Sequence, residues 1–567
     1  MGFRPAGALV AALLILCPQG ALRAAEAEFR WFRYAGSDPV DPGAGPAEGQ
    51  FRNPVLAGFY PDPSIVRVGA DFYLVNSNFG WFPGIPVWHS RDLVSWRQIG
   101  NAIDRPGMVD FKGRELSQGL FAPTISWHDG TFYIANTCFA CGGNYIVTAK
   151  DPAGPWSQPH WFPDLGWGID PSLFFDADGS AWLLNNDVPP GGETYPGHRA
   201  VFLQRLDLGA MKLVGPRHMI LNGGAKIAEK PEYVEGPHLF RANGFYYLTA
   251  AEGGTGDRHA QVVLRSKSIE GPYEAFAGNP ILTQRGMDPA RLFPISSAGH
   301  ADLVQTEAGD WWAVFLATRP YRDDIYNTGR ETFLLPVQWT ADGWPTILKP
   351  GVPIPHVAKR PALPPDPAPP MPTSGPFMVE DAFDGPALGL HWMTMRGPAD
   401  GWMRLEGGVL RLTPRSIGLG DLADPSFVAR RQQHMNMEAS TLLSFKPGAG
   451  EAAGLGIIQR DEYWYALLLA DAGGGRREIR LLLRDGAETP AAGRLLASAP
   501  APDGDIRLRI VAEGERYRFD WAPAGGDWRT LLAGADGTVL SSWRARGFVG
   551  AMVGPYAVTV DSRRISP

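Results

Sequence analysis

Polar and apolar positions alternate over the first 320 residues in short runs broken by turns rich in Gly, Asp and Asn. That period of two predicts β-strands rather than helices. One pattern recurs: an apolar run, often opened by an acidic residue, then a turn, then an aromatic-rich run. It reads YPDPSIVRVGADFYLV over Tyr60–Val75, APTISWHDGTFYI over Ala122–Ile134, DPSLFFDADGSAWLL over Asp170–Leu184, EGPHLFRANGFYYL over Glu235–Leu248 and HADLVQTEAGDWWAV over His300–Val314. Each predicts a β-hairpin. The closing aromatics Tyr73, Tyr133, Trp182, Tyr247 and Trp312 lie 60, 49, 65 and 65 residues apart. Each interval holds about four strands, so the repeats predict the five blades of a β-propeller.

Counted back from those aromatics, Asp62 lies 11 residues upstream, and Asp170, Glu235 and His300 each lie 12. Equivalent positions in a propeller are related by rotation about one axis, so three carboxylates and a histidine are expected to converge on one rim of the central channel. The second repeat departs from this, with Ala122-Pro123 where an acid would sit. Like charges in a small volume push their pKa values apart, so that one carboxyl keeps its proton while another ionises. Glycoside hydrolysis needs that division: an acid for the leaving oxygen, and a base or nucleophile at the anomeric carbon.

Past the repeats, Pro350–Pro376 holds eleven prolines in 27 residues, a composition of extended, semi-rigid chain. Beyond it, short alternating segments such as EAAGLGIIQRDEYWYALLLA and DIRLRIVAEGERYRFDWA predict an antiparallel β-sandwich of jelly-roll or concanavalin-like type. The expected organisation is all-β: a leader over 1–25, a five-bladed propeller over 26–350, a Pro-rich linker over 351–376 and a sandwich over 377–567. The sandwich carries no carboxylate in a recurring register and is expected to pack on the propeller as an accessory domain.

Charge and composition narrow the partners. The 59 acidic and 52 basic residues give a net charge of −7 with no basic tract, which argues against nucleic acid. The apolar run from Ala8 to Cys17 is too short to span a bilayer and reads as a cleaved secretory signal, placing the mature chain in a secreted or periplasmic setting. Cys138 and Cys141 have no second pair to complete a zinc site, so they read as a small-loop disulfide or two free thiols.

The segments NPVLAGFYPDPSIVRVGADFYLVNSNFGWFPGIPVWHSRDLVSW, GIDPSLFFDADG, YVEGPHLFRANGFYYLTAAEGGTG, GHADLVQTEAGDWWAVFLATRP and NTGRETFLLPVQW, in that order from Asn53 to Trp339, resemble the signature segments of glycoside hydrolase family 43. The region after the linker is similar to the sandwich of its xylosidase-type members. The resemblance implies inverting hydrolysis, with Asp62 as general base, Glu235 as general acid, and Asp170 orienting the acid and raising its pKa. It also implies a sugar pocket lined by Trp81, Phe121, Thr255, His300 and Arg330. The activity implied is exo-acting release of xylose from the non-reducing ends of xylo-oligosaccharides, xylan or arabinoxylan. An α-L-arabinofuranosidase is the alternative within the class, and a non-catalytic carbohydrate-binding propeller is the alternative outside it. No cofactor is required for this chemistry. A structural Ca²⁺ near His300 or in the sandwich would accord with some relatives, although no Asp-rich ligand loop is present.

Overall fold

The computed structural model describes Gly2 and residues 26–40, 45–166 and 168–560. The leader expected over 1–25 therefore lies, apart from Gly2, outside the described residues. No described helix is long and apolar enough to cross a membrane.

Five antiparallel sheets of four or five strands follow one another from Ser64 to Thr346. Their innermost strands are Ser64–Val68, Thr124–His128, Ile169–Phe175, Glu235–Ala242 and Ser296–Gln305. Each touches the next, and the fifth touches the first, closing the ring of a five-bladed propeller. The recurring aromatics sit opposite the innermost strands, in the pairs Val66–Tyr73, Ser126–Tyr133, Phe174–Trp182, Phe240–Tyr247 and Val304–Trp312. There they fill the space between neighbouring blades: Tyr247 packs in one apolar cluster with Phe315, Phe333 and Trp344. The chain entering blade one is tied to blade five, where Asn53 exchanges side-chain hydrogen bonds with the backbone of Leu334 and the Val55 N–H donates to the Thr332 carbonyl.

The sandwich has two eight-stranded sheets, and its membership corrects the expected boundaries. Strand Ala27–Ser37, placed in the propeller domain by sequence, lies inside one sandwich sheet, paired with Asn436–Ser444, Phe377–Asp381 and Leu410–Leu412. It buries Ala27, Phe29, Phe32 and Tyr34 in the sandwich core. The two-residue strand Trp81–Phe82 pairs with Met393–Met395 at the edge of the other sheet. From Ala27 onward the described chain thus passes through the sandwich, builds the propeller, and returns to the sandwich.

Buried charges hold the two domains together. Arg319 is 3% exposed and pairs with Glu331 of blade five and with Asp38 at the end of the first sandwich strand. Arg431 of the sandwich donates to the Phe59 carbonyl at 2.5 Å and to the Asn78 side chain at 2.8 Å. Removing one partner of such a pair strands a buried charge, so the domains form one structural unit. The linker is anchored as well, with Val357–Lys359 paired to Gln50–Arg52. Cys138 and Cys141 form a disulfide.

Candidate active site

Asp62 two residues before the strand Ser64–Val68, Asp170 at the second position of Ile169–Phe175 and His300 midway along Ser296–Gln305 are all in the left-handed region, with φ of 52°, 55° and 52°. A left-handed residue costs a non-glycine side chain energy. Here the turn aims each side chain at the channel rather than along the sheet. The equivalent residue in blade four is Gly236, φ 55°, not Glu235. The hairpin pairs explain the offset: Asp170 lies four residues before Phe174, as Gly236 does before Phe240. A Cβ on Gly236 would lie 2.7 Å from His300 Nε2, so glycine is required there by space as well as by φ. Glu235, one position earlier, takes the wall beside Asp170.

Asp62, Asp170, Glu235, Thr255, His300, Arg330 and Phe121 line one pocket. Asp62 is buried, accepting a hydrogen bond from Arg330 Nη1 at 2.7 Å on one oxygen and from the Ser77 hydroxyl at 2.5 Å on the other. Burial opposes its ionisation. Arg330, then His300 and the Ser77 hydrogen bond, outweigh that and hold Asp62 below the usual carboxylate range. Glu235 behaves in the opposite sense. Burial and then the Asp170 charge push it up to about 8, with His300 only partly offsetting them. Asp170 Oδ2 accepts the Gly236 N–H at 3.0 Å and stands 3.7 Å from His300 Nε2. Burial disfavours charge on His300, but the Asp170 contact and the charges of Asp62, Asp170 and Glu235 raise it to about 9. The pocket therefore favours one ionised and one protonated carboxyl at neutral pH, with His300 favoured as a cation beside Asp170.

The remaining walls are aromatic. Phe121 stacks on Phe139 at 4.7 Å, and Phe79, φ 49°, stacks on Phe548 at 5.8 Å. Arg330 lies over both Phe79 and Phe548, 5.9 and 5.5 Å from their centroids. Trp81, expected to line the sugar pocket, does not. It is fully buried in the interdomain core with Phe59, Met395 and Phe427, because its strand is drawn into the sandwich sheet. Phe79 takes the place expected for Trp81. Trp167, the aromatic just before Asp170, lies outside the described residues. Phe548 had no signal in the sequence, since it reaches the propeller from the sandwich, where its N–H donates to the Ser117 hydroxyl at 3.1 Å. The expected role of the sandwich as a packed accessory is therefore extended: it supplies one wall of the pocket.

Among the described residues no group of three or more His, Cys, Asp or Glu is arranged to hold a metal ion. His300 Nε2 faces Asp170 and sits against Gly236.

The profile of Glycosyl hydrolases family 43 matches residues 51–345, and that of the Beta xylosidase C-terminal Concanavalin A-like domain matches residues 380–564. A non-reducing end α-L-arabinofuranosidase of Bacteroides ovatus is 38% identical over 522 residues, 90% of this chain and 92% of its own. A xylosidase/arabinosidase of Butyrivibrio fibrisolvens is 38% identical over 512 residues, covering 89% of this chain and 95% of its own. The crystal structure of a family 43, subfamily 12 protein from capybara gut metagenome superposes with a TM-score of 0.85 at 36% identity, over 94% of this chain and all of that one.

Proposed function

The chain belongs to glycosyl hydrolase family 43, and from that premise we propose that it is an exo-acting pentosidase releasing xylose from the non-reducing ends of xylo-oligosaccharides by inverting acid/base hydrolysis. The observation that carries the mechanism is the opposed proton affinity of two carboxyls in one pocket, Asp62 held ionised and Glu235 held protonated. Glu235 gives its proton to the glycosidic oxygen as the bond to the anomeric carbon breaks. A water attacks that carbon from the opposite face, and Asp62 takes the proton it releases. Asp170 acts through Glu235, keeping it protonated and, by holding the Gly236 N–H, fixing the backbone that carries it. Arg330 orients Asp62 and, with His300 and Thr255, offers donors to sugar hydroxyls, while Phe79, Phe121 and Phe548 pack against its C–H faces.

The cavity, about 80 Å³, is small beside the several hundred Å³ typical of sites for larger ligands. That supports one terminal sugar rather than an internal stretch of polysaccharide. The reaction uses no cofactor. Removal of arabinofuranose from arabinoxylan is the second reading, favoured by the activities for which the Bacteroides and Butyrivibrio relatives are named. A site of action outside the cytoplasm accords with the Cys138–Cys141 disulfide and the leader-like N-terminus.

The test is paired hydrolysis of 4-nitrophenyl β-D-xylopyranoside and 4-nitrophenyl α-L-arabinofuranoside, with product analysis on xylohexaose. The proposal expects turnover of the xyloside and stepwise loss of single xyloses from one end. Early release of mixed shorter oligomers would contradict exo action. Turnover of the arabinoside alone would transfer the function to the second reading.

A further inference from the structure

Tyr233 stands two residues before Glu235, separated from it by the fully buried Val234. Its backbone is left-handed, φ 51°, a conformation rare for a bulky aromatic and persistent only where the surroundings impose it. The Tyr233 N–H donates to the Gly197 carbonyl at 2.7 Å. The ring is fitted between two glycines on neighbouring blades: a Cβ on Gly197 would lie 3.1 Å from it and one on Gly254 3.3 Å. Arg199, paired with Glu193 at 2.6 Å, holds its guanidinium 5.7 Å from the ring centroid. For all this support the ring remains 44% exposed, and its hydroxyl makes no hydrogen bond among the described residues. The neighbour of Gly254 is Thr255, which lines the pocket.

A strained, externally braced and exposed aromatic two residues before the proton donor has the properties of a ligand platform. We propose that Tyr233 is a specificity-determining residue that stacks against the sugar on the leaving-group side of the scissile bond. This rests on the reading of Glu235 as general acid, because the oxygen that Glu235 protonates belongs to the departing unit. Tyr233 packs beside Gly254, the neighbour of pocket-lining Thr255, and the departing unit would lie against it. Its apolar face would pack on the ring, and the free hydroxyl would bond one of its oxygens. The pocket residues select the sugar that is released, and Tyr233 selects what it is released from.

The experiment compares full-length wild type, Tyr233→Ala and Tyr233→Phe on two kinds of substrate. A disaccharide of the released pentose carries a leaving sugar, whereas the corresponding glycosyl fluoride fills the pocket alone. Both xylosyl and arabinofuranosyl series are run, so the comparison uses whichever sugar wild type releases. Tyr233→Ala is expected to lower kcat/KM on the disaccharide about tenfold, mainly through KM, while activity on the fluoride stays within about twofold. Tyr233→Phe is expected to recover most of the loss. An equal fall on both substrates would mean that Tyr233 only supports the loop, and an unchanged disaccharide value would mean that the leaving sugar does not touch it. Either result overturns the inference while the glycosidase reading stands. Wild type that hydrolyses neither fluoride would overturn both.

Discussion

Replacing Asp170 with asparagine removes one charge beside Glu235 and keeps the side chain's shape. Glu235 stands at about 8 against an ordinary 4.5, a difference of roughly 3.5 units or about 5 kcal/mol between protonation states. Burial is the largest cause and the Asp170 charge the next, so the charge contributes less than burial does. A fall on the order of one unit, about 1.4 kcal/mol, is the expected size. One effect opposes it. The Asp170 contact helps keep His300 protonated, and protonated His300 lowers Glu235. Any charge that His300 loses pulls the acid back up. Asp62 still favours the imidazolium in the variant, so the opposing effect is partial and the net shift remains downward. A general acid works only while protonated, and activity fades as pH rises through its pKa. The basic limb of the kcat/KM profile on xylobiose should therefore move about one unit toward acid, with a lower maximum because the Gly236 N–H loses its charged acceptor. The limb reports the coupled cluster rather than a single residue. An Asp170→Asn profile whose basic limb coincides with wild type would refute the idea that this charge tunes the acid.

Three further perturbations follow from the same geometry. Glu235→Gln should stabilise the protein near neutral pH: below about 4.5 both folded and unfolded states hold the proton, but from there toward about 8 only the folded state does. The penalty grows with pH to about 3 kcal/mol at pH 7. The inactive variant should melt a few degrees higher at pH 7 and converge on wild type near pH 4.5, and a lower melting temperature at pH 7 would contradict this. Gly236→Ala forces a side chain into φ 55° and to 2.7 Å from His300 Nε2. It should cost about 1–3 kcal/mol of stability and most of the activity, whereas wild-type kinetics would show that the close approach is not needed. Phe548→Ala removes the sandwich's contribution to the pocket and should raise KM about tenfold. An unchanged KM would return the sandwich to a passive role.

Local periodicity made the propeller readable, because the main strands of each blade pair with strands close by in the sequence. The strand Ala27–Ser37 was not readable in that way. It alternates like any other strand, but its partner Asn436–Ser444 is about 400 residues distant, and nothing in alternation specifies a long-range partner. The site was legible through its register, with one displacement. Hairpin pairs span seven residues in Phe240–Tyr247 and eight in Phe174–Trp182, so counting back from the aromatic made Glu235 equivalent to Asp170, although Gly236 is. Trp81 was expected in the pocket by resemblance, but a large aromatic is buried in a core as readily as it faces a ligand. The two-residue strand that removed it to the interdomain core left the smaller Phe79, two positions earlier, facing the pocket. Phe548 could be found only by knowing how the domains dock.

The central claim, that Glu235 and Asp62 hydrolyse a terminal glycosidic bond in a single displacement, is tested most directly by the anomeric form of the first product. Proton NMR during rapid hydrolysis of 4-nitrophenyl β-D-xylopyranoside, whose leaving group is not a sugar, should, ahead of mutarotation, show α-xylose appearing first and β-xylose only later. Initial β-xylose would contradict the account and make Asp62 a nucleophile.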